Sequence, residues 1–363
     1  MVAETMTTSL HIHSGDAAAD LARGVIAGTH LSWHDLLMNG PLPAGAAGDA
    51  WYDARAGALA PFAGNADRAG HFLRRKDREL SAAVAAASEI TLWFDACLYD
   101  QLLLCALLAH NQALRGALSR AYLLCLGSVP GRPRLLGFGE LTSAEMPPLL
   151  ACRVPLTAAH LAAVDDAWRA FTAPTPEPWL ALARRDNPLF PYVPVAAQRL
   201  LEQLPCVRTG LNRLEYEILS GVLDGLSQPV ALFKHVSAQE AIPYFGDTML
   251  WHELNALCDG PTPLLLLRGP TPRLPVAVPA AGEPAPPPIS AYTILGTLQG
   301  MRSLWGWGDW RALRPVKRHV ANVLLAGPGG WRWDRWQQRL CQLPATLAAP
   351  AVPGGVTLEG TAR

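Results

Sequence analysis

The sequence lacks an excess of charge of either sign, and it lacks the short motifs that identify common nucleotide-binding proteins. Its 363 residues carry 30 basic and 30 acidic side chains, which argues against a globally basic nucleic-acid-binding protein. Neither a Gly-x-Gly-x-x-Gly fingerprint nor a Gly-Lys-Ser/Thr phosphate-binding loop occurs. Nucleic acid could therefore be bound only through a local basic patch. No motif in the sequence identifies a cofactor.

The sequence is also poor in features of secreted and membrane proteins. None of its seven cysteines forms a Cys-x-x-Cys pair and most lie in apolar runs, so we expect buried thiols rather than disulfides or a zinc site. No apolar run reaches the length of about 18 residues that crosses a bilayer. The segment Met1–Leu10 is short and carries Glu4, so we expect no signal peptide and a cytoplasmic protein.

Predicted strands and helices alternate along the first part of the chain. Apolar runs predict strands, Ala- and Leu-rich segments between them predict helices, and the charged run Arg74–Glu79 is expected on a solvated helix face. This alternation predicts an α/β fold with a Rossmann-like, mainly parallel sheet that has helices on both faces. The predicted strands are Leu10–Ser14, His30–Trp33, Ile90–Phe94 and Ala121–Leu126, and the helices are Ala17–Val25, Asn65–Ser88 and Asp100–Leu118.

The second half of the sequence changes character near Asn212. Three short predicted helices with tight turns follow it, an arrangement similar to a helix-turn-helix or winged-helix core. Residues 261–290 hold ten prolines and predict a loop or linker. We therefore expect a Rossmann-like α/β domain at 8–150, a helical connector at 151–205, a mostly helical winged-helix-like domain at 206–343 with a Pro-rich insertion at 261–290, and a disordered tail at 344–363.

Polar residues follow three of the predicted strands, at the edge where open α/β sheets bind ligands. We expect them to converge on one site for a small ligand. The candidate ligand-binding residues are His11, His13, Ser14, Gly15 and Asp16 in and after the first strand, Trp33 and Asp35 at the end of and after the second, and Asp95, Tyr99, Asp100 and Gln101 after the third.

The chemistry of these residues stays open at the level of sequence. Backbone N–H groups at Gly15 could approach a phosphate at a helix N-terminus, although Asp16 fits an ordinary helix cap better. Clustered aspartates could bind magnesium or act as acid and base. Alternatively, Asp35 and Asp100 cap helices while Asp95 is solvated.

The remaining candidate side chains favour structural roles. His11 and His13 alternate on one strand and so face the same side of the sheet, where a satisfied structural histidine is the commoner outcome. Cys97 lies near the same edge, but no histidine stands at a motif-like spacing to activate it as a nucleophile.

The C-terminal half offers a weaker indication of DNA binding. The last predicted helix, Thr248–Leu257, has no Arg or Lys, so it is better suited to packing than to reading base edges. Basic residues interleaved with tryptophans could contact phosphates and bases, but spaced tryptophans more often form a core. The basic residues in question are Arg311, Arg314, Lys317, Arg318, Arg332 and Arg335.

Three segments together resemble the bacterial "domain of unknown function 1835" family. They are His11–Asp16, Trp33–Pro43 and Leu92–Leu102, and they match the order His-Ile-x-Ser/Asn-Gly-Asp, Trp-x-Asp-x-Leu-x-x-Gly-Pro-x-Pro and Leu-Trp-Phe-(four residues)-Tyr-Asp-Gln-Leu. Further landmarks are Pro130–Gly131, Gly137–Thr142, Val207–Leu219 and Trp331–Asp334, so the resemblance covers about residues 10–336.

The resemblance implies no established activity, and the chain departs from the family pattern in its third segment. Ala96 and Cys97 stand where the resemblance implies His and Asp, so any acid/base or metal chemistry of those groups is reduced here. We expect a regulatory protein that binds a small ligand, phosphorylated or not, and a protein partner. A metal-dependent hydrolase or transferase that uses Asp16, Asp35 and Asp100, and a DNA-binding regulator, are the alternatives.

Overall fold

A five-stranded sheet forms the centre of the first half of the protein. The computed structural model describes residues 8–132, 134–280, 282–314 and 317–344. The strands of the sheet are β1 (Ser9–His13), β2 (Thr29–Ser32), β3 (Glu89–Asp95), β4 (Ala121–Leu126) and β5 (Val154–Pro155). Their order is β2-β1-β3-β4-β5; β1 to β4 are parallel and β5 is antiparallel to β4. The prediction of an α/β fold with a mainly parallel sheet is confirmed.

The chain changes direction across the sheet between β1 and β3. From β1 it moves outward to β2, and it then returns over β1 to place β3 on the other side. Such a reversal opens a crevice at the carboxyl ends of the two flanking strands, because their following loops leave in opposite directions.

Helices cover both faces of this sheet. Trp93 and Leu124 pack with α1 on one face, whereas the alternate side chains of β3, Leu92 and Phe94, pack with α3 and α4 on the other. The helices of this half are α1 (Asp16–Arg23), α2 (Asp49–Ala63), α3 (Ala66–Ala86), α4 (Leu98–His110) and α5 (Gln112–Gly116).

Two helices differ from the sequence-based expectation. The single helix expected over Asp100–Leu118 is divided at Asn111, whose side-chain oxygen accepts a hydrogen bond from the Leu114 N–H and starts α5. The sequence did not predict α2, which is rich in Ala and contains Gly57 and Pro61. Its place is fixed by packing against α3 and by the buried Arg55.

The rest of the described chain consists of helices and three antiparallel strand pairs. The helices are α6 (Ala158–Phe171), α7 (Glu177–Ala183), α8 (Val193–Leu201), α9 (Arg213–Leu223), α10 (Pro229–Gln239), α11 (Asp247–Cys258), α12 (Leu298–Leu304) and α13 (Trp310–Leu313). The strand pairs are β6 (Leu265–Arg268) with β7 (Thr293–Gly296), β8 (Arg318–Val320) with β9 (Val323–Leu325), and β10 (Gly330–Asp334) with β11 (Arg339–Leu343).

One contiguous hydrophobic cluster joins the sheet, the middle helices and the C-terminal half. It runs from Leu10 on β1 through Leu104 on α4 and Leu200 on α8 to Leu254 on α11 and Trp333 on β10. The three regions therefore share one core. The Pro-rich segment expected at 261–290 includes β6 and most of the loop that joins it to β7.

The remaining expectations concern cysteines, membranes and the tail. None of the seven cysteines is in a disulfide, and Cys97, Cys105 and Cys206 are buried. Within the described part of the chain, we find no helix with both the length and the apolar character needed to cross a membrane. The predicted disordered tail lies outside the described residues from position 345 onward.

Candidate ligand site

The segments that follow β1, β2 and β3 meet at one edge of the sheet. The three strands are parallel neighbours, so their carboxyl ends point the same way. Across the β1/β3 crevice the Ser14 hydroxyl donates a hydrogen bond of 2.8 Å to Asp100 Oδ2. The Trp33 N–H donates a bond of 2.8 Å to the His13 carbonyl, which holds the end of β2 against β1.

Asp95, Cys97 and Asp100 form a buried cluster at the end of β3. Asp100 Oδ2 also accepts a 2.6 Å bond from the Asp95 N–H, and Asp95 Oδ1 accepts a 2.8 Å bond from the Cys97 N–H. Cys97 Sγ caps α4 by accepting from the Asp100 N–H. The expected cap role of Asp100 is therefore wrong, as is the expected solvation of Asp95, which is only 7% exposed.

Burial sets the protonation of this cluster. It raises the pKa of Asp95, and together with the charge of Asp95 it raises the pKa of Asp100 well above the usual range. Burial also raises the pKa of the Cys97 thiol, which opposes its use as a nucleophile. In the part of the chain that the structure describes, these three residues are the group whose ligand atoms lie within 4.8 Å of one another, so they are the candidates for holding a metal ion.

Asp35 is held by a buried arginine rather than capping a helix. Arg55 is fully buried and donates to both carboxylate oxygens of Asp35, at 2.6 to 3.1 Å. Its remaining N–H groups donate to the carbonyls of Leu36, Asn39 and Pro41. This ion pair fixes the loop after β2, so the expected cap role of Asp35 is wrong and its carboxylate charge is already balanced.

Asp16 is the first residue of α1, and its side chain turns away from the helix. The N-cap is Gly15, which offers no side-chain cap, so the expectation that Asp16 caps α1 is wrong. Asp16 instead accepts a hydrogen bond from the Ser32 hydroxyl and lies 3.1 Å from His34 Nε2. The contact with His34, and then the bond from Ser32, lower the pKa of Asp16. The carboxylate thus bridges the ends of β1 and β2.

His11 and His13 lie under α1, in a stack with His30 and Trp93. Trp93 Nε1 donates to His11 Nδ1 at 3.2 Å, and His13 Nε2 is 3.1 Å from His30 Nδ1. Burial and then the neighbouring His30 lower the pKa of His11 to about 4 and that of His13 to about 3. Both rings are therefore neutral at physiological pH and hold β1, β2 and β3 together.

A cavity of about 1100 Å³, which we call the first cavity, opens at this edge of the sheet. Of the predicted site residues, Ser14, Gly15, Asp16, Asp35 and Tyr99 line it. The others lie elsewhere: Trp33 lines a different pocket, the Asp95–Asp100 pair and the histidines are buried beside or behind the crevice, and Gln101 donates to the Asp95 carbonyl from a fully buried position.

Most walls of the first cavity come from segments that the sequence did not indicate. Helix α2 contributes Leu59 and Phe62, and α3 contributes a stripe at helical spacing. The C-terminal half closes the opposite side with Tyr244, Met249 and Val278, among others. The stripe on α3 is Arg68, His71, Phe72, Arg75 and Arg78, so Arg75 and Arg78 face the cavity although the run Arg74–Glu79 was expected to be simply solvated.

The cavity has a cationic rim. Arg75 pairs with Glu79 at 3.0 Å on the exposed surface. Among the described residues, no carboxylate lies within 4.0 Å of Arg68 or Arg78. The periodicity of α3 would have shown that these arginines share a face with Phe72, but not that the face borders a cavity.

The basic residues of the C-terminal half do not form an outward stripe. Arg311 is 4% exposed, and the fully buried Arg332 pairs with Asp309 at 2.8 Å. Arg318 pairs with Glu215 at 2.8 Å, and the Arg335 guanidinium stacks on the Tyr216 ring. The tryptophans divide: Trp310 and Trp333 are buried, whereas Trp305, Trp307 and Trp336 are more than half exposed.

No protein-family model matches the chain, and no curated protein is significantly similar to it. The resemblance to the domain of unknown function 1835 family therefore stays a prediction from the three sequence segments.

Proposed function

We propose that this protein binds a small organic anion with an apolar body in the first cavity. The observation that carries the proposal is that residues from the sheet edge, from α3 and from the C-terminal half together line the first cavity. Strand-end residues Ser14 and Gly15 form one side, α3 forms the rim, and Tyr244 and Met249 of the C-terminal half close it. Ligands of open α/β sheets bind at such a strand-end crevice, and a cavity of this size suits a small molecule.

The lining favours a ligand that is both apolar and anionic. Leu59, Phe62 and Phe72 offer apolar and aromatic surface for a ring or chain. Arg68 and Arg78 supply guanidinium groups, which match phosphate and carboxylate geometry. The first N–H groups of α1, after Gly15, add donors for an anion.

The two halves of the chain have different roles in the proposed function. We infer a Rossmann-like N-terminal domain, which the strand order β2-β1-β3-β4-β5 and its reversal at β1/β3 support. We infer a winged-helix-like C-terminal domain from the succession of α9, α10 and α11 followed by the β6/β7 hairpin. Because α11 borders the first cavity, ligand occupancy would act directly on this second domain.

A protein partner on the C-terminal half completes the proposed regulatory role. Trp305 and Trp307 are 53% and 69% exposed, and their ring centroids are 4.9 Å apart. Large exposed aromatic side chains in one place are typical of interaction surfaces. The hydrolase alternative has less support because Arg55 neutralises Asp35. The DNA-binding alternative has less support because Arg311 and Arg332 are buried.

The proposal is tested by identifying the small molecules that co-purify with the protein and by measuring whether its arginines bind an anion. Native mass spectrometry of the purified full chain would reveal retained small molecules. Isothermal titration calorimetry with ADP and with its uncharged counterpart adenosine then tests the anionic part. We expect ADP to bind more tightly than adenosine. We expect the substitutions Arg68→Gln and Arg78→Gln to weaken the affinity for ADP by about 10- to 100-fold, the range for lost charge-assisted hydrogen bonds.

Arg302→Gln is the matched control, because Arg302 is exposed on α12, away from the first cavity. It should leave ADP binding unchanged. Equal binding of ADP and adenosine, or ADP binding that both α3 substitutions leave intact, would contradict recognition of an anion in the first cavity.

A further inference from the structure

A second cavity, of about 430 Å³, lies between the loop after β2 and the C-terminal half. Helices α2 and α11 contribute to the walls of both cavities, but with different side chains. Helix α2 faces the first cavity with Leu59 and the second with Ala58, and α11 faces the first with Met249 and the second with Glu253. The two cavities are thus neighbours along one interface, and their chemistry differs.

Basic side chains dominate the second cavity. Arg311, Arg314, Lys317 and Arg318 line it, against the carboxylates of Glu215 and Glu253. All four basic residues belong to a segment of eight positions around the start of β8. The sequence offers these residues as weak candidates for nucleic-acid contact, whereas in the structure all four line the second cavity.

The hydrogen-bonding capacity of these arginines is only partly used. Arg318 Nη1 donates to Glu215 Oε1 at 2.8 Å, but Arg318 Nε and Nη2 are buried and have no partner among the described residues. Arg311 Nη2 donates to the Gly327 carbonyl at 3.1 Å. Arg314 donates to the Ala256 carbonyl and comes no closer than 3.9 Å to Asp259. Buried unused donors are costly unless a partner satisfies them.

The charge of the cavity is out of balance in the positive direction. Burial, and next the like charge of Arg318, lower the pKa of Arg311 to about 10. Burial raises the pKa of Glu253 to about 7, so this carboxyl is a weak counter-charge near neutral pH. Burial and nearby cations also lower the pKa of His252 and of His319. A bound anion would relieve the lowered pKa values of Arg311, His252 and His319, and it would keep the Glu253 carboxyl protonated.

We propose that the second cavity is a binding site for a small phosphorylated anion, held by Arg311, Arg314, Lys317 and Arg318. Guanidinium groups donate pairs of hydrogen bonds to phosphate oxygens, and the ammonium of Lys317 adds a point charge at the mouth. A phosphate group accepts enough bonds to satisfy the unused donors of Arg318, and it neutralises the excess positive charge. The volume suits a phosphate ester of modest size.

The test uses inorganic phosphate and the full chain at constant ionic strength. Isothermal titration calorimetry should show phosphate binding to the unmodified protein. Arg318→Gln should weaken it by about 10- to 100-fold, because charge-assisted bonds are lost, and Lys317→Gln should weaken it less. Lys317 is exposed, so its replacement does not threaten the fold and keeps the test valid if Arg318→Gln fails to fold.

Two controls separate this site from the first cavity. Arg302→Gln removes an exposed arginine outside both cavities, and Arg78→Gln removes one from the rim of the first. Arg302→Gln should leave phosphate affinity unchanged. Any phosphate held by Arg78 lies in the first cavity, so Arg78→Gln should leave intact the phosphate binding that Lys317→Gln and Arg318→Gln weaken. No phosphate binding at millimolar concentration, or binding that Arg78→Gln abolishes and Lys317→Gln and Arg318→Gln leave intact, would overturn the proposal without deciding the ADP experiment.

Discussion

Gln203 Nε2 donates a hydrogen bond to the hydroxyl of Tyr244, and the two side chains line different cavities. Tyr244 belongs to the wall of the first cavity and Gln203 to the wall of the second. Arg199 Nη2 also donates to the Tyr244 hydroxyl at 3.3 Å, while Arg199 forms a buried pair with Glu240. The Tyr244 hydroxyl therefore links the wall of the first cavity to Gln203 in the wall of the second, and to the buried Arg199–Glu240 pair.

Tyr244→Phe should destabilise the protein by about 1–3 kcal/mol, because the buried Gln203 amide and Arg199 guanidinium lose an acceptor while the ring stays. Urea unfolding measures the change. Tyr216→Phe is the control: the Tyr216 ring supports Arg335, but its hydroxyl has no hydrogen bond among the described residues. Equal stability of Tyr244→Phe and the unmodified protein would show that the link contributes nothing.

Asp35→Asn should destabilise the protein by about 3–5 kcal/mol, because it leaves the fully buried Arg55 guanidinium without its counter-charge. Asp53→Asn provides the matched control on α2. Asp53 also pairs with an arginine, Arg74, at 2.6 Å, but its side chain is 71% exposed, so we expect a change of about 0–1 kcal/mol. Similar unfolding free energies for the two variants would contradict a structural role for Asp35.

The sequence was sufficient for the four parallel strands and their shared edge, but not for β5, for β8 to β11 or for the cavities. Apolar runs such as Ile90–Phe94 and the polar residues after them predict a sheet whose loops meet at one edge, as Ser14 and Asp100 do. Helix α2 escaped prediction because its Ala-rich sequence shows no clear apolar stripe, and Arg55 was not recognised as the partner of Asp35.

The cavity walls depend on contacts between distant parts of the chain. No local spacing connects Phe72 on α3 with Tyr244 and Val278, although all three line the first cavity. Similarly, the basic segment of the second cavity looks the same in sequence whether it faces solvent or the interior. Arg311 is buried and Arg314 and Arg318 are half-buried because β8 and α13 pack against the loop after β2, which periodicity cannot reveal.

Acid should destabilise the protein through the histidines under α1. Their folded pKa values, about 4 for His11 and about 3 for His13, lie below the unfolded value near 6.5, so the unfolded chain binds more protons in between. The stabilisation is present above about pH 6.5 and is lost as the pH falls toward these folded values. Each histidine contributes up to about 1.4 kcal/mol per pH unit.

Urea unfolding between neutral pH and about pH 4 checks this slope. His13→Gln removes one titrating group and should flatten the slope, whatever it does to stability at neutral pH. His71→Gln removes an exposed histidine from α3 and should leave the slope as it is. A slope that His13→Gln does not change would contradict the assignment of acid sensitivity to this cluster.

The Asp95–Asp100 pair should hold at least one proton at neutral pH. The two carboxyls are 7% and 3% exposed, and burial raises the pKa of both. Infrared spectroscopy detects a protonated carboxyl by its C=O stretch, which is distinct from the carboxylate bands. We expect that stretch in the unmodified protein at neutral pH beside the contribution of Glu253, whose pKa burial raises to about 7, and we expect Asp100→Asn to reduce or shift the band.

Two further variants make this prediction specific. Asp224→Asn replaces an exposed carboxyl and should leave the stretch unchanged. The Ser14 hydroxyl donates to Asp100 Oδ2 and thereby favours the ionised form of Asp100. Ser14→Ala removes this hydroxyl. Without that bond the pKa of the pair should rise, and the stretch should persist to a higher pH than in the unmodified protein. Complete absence of the stretch at neutral pH would mean that both carboxylates are ionised, and the cluster with Cys97 would then be a stronger candidate for a bound cation.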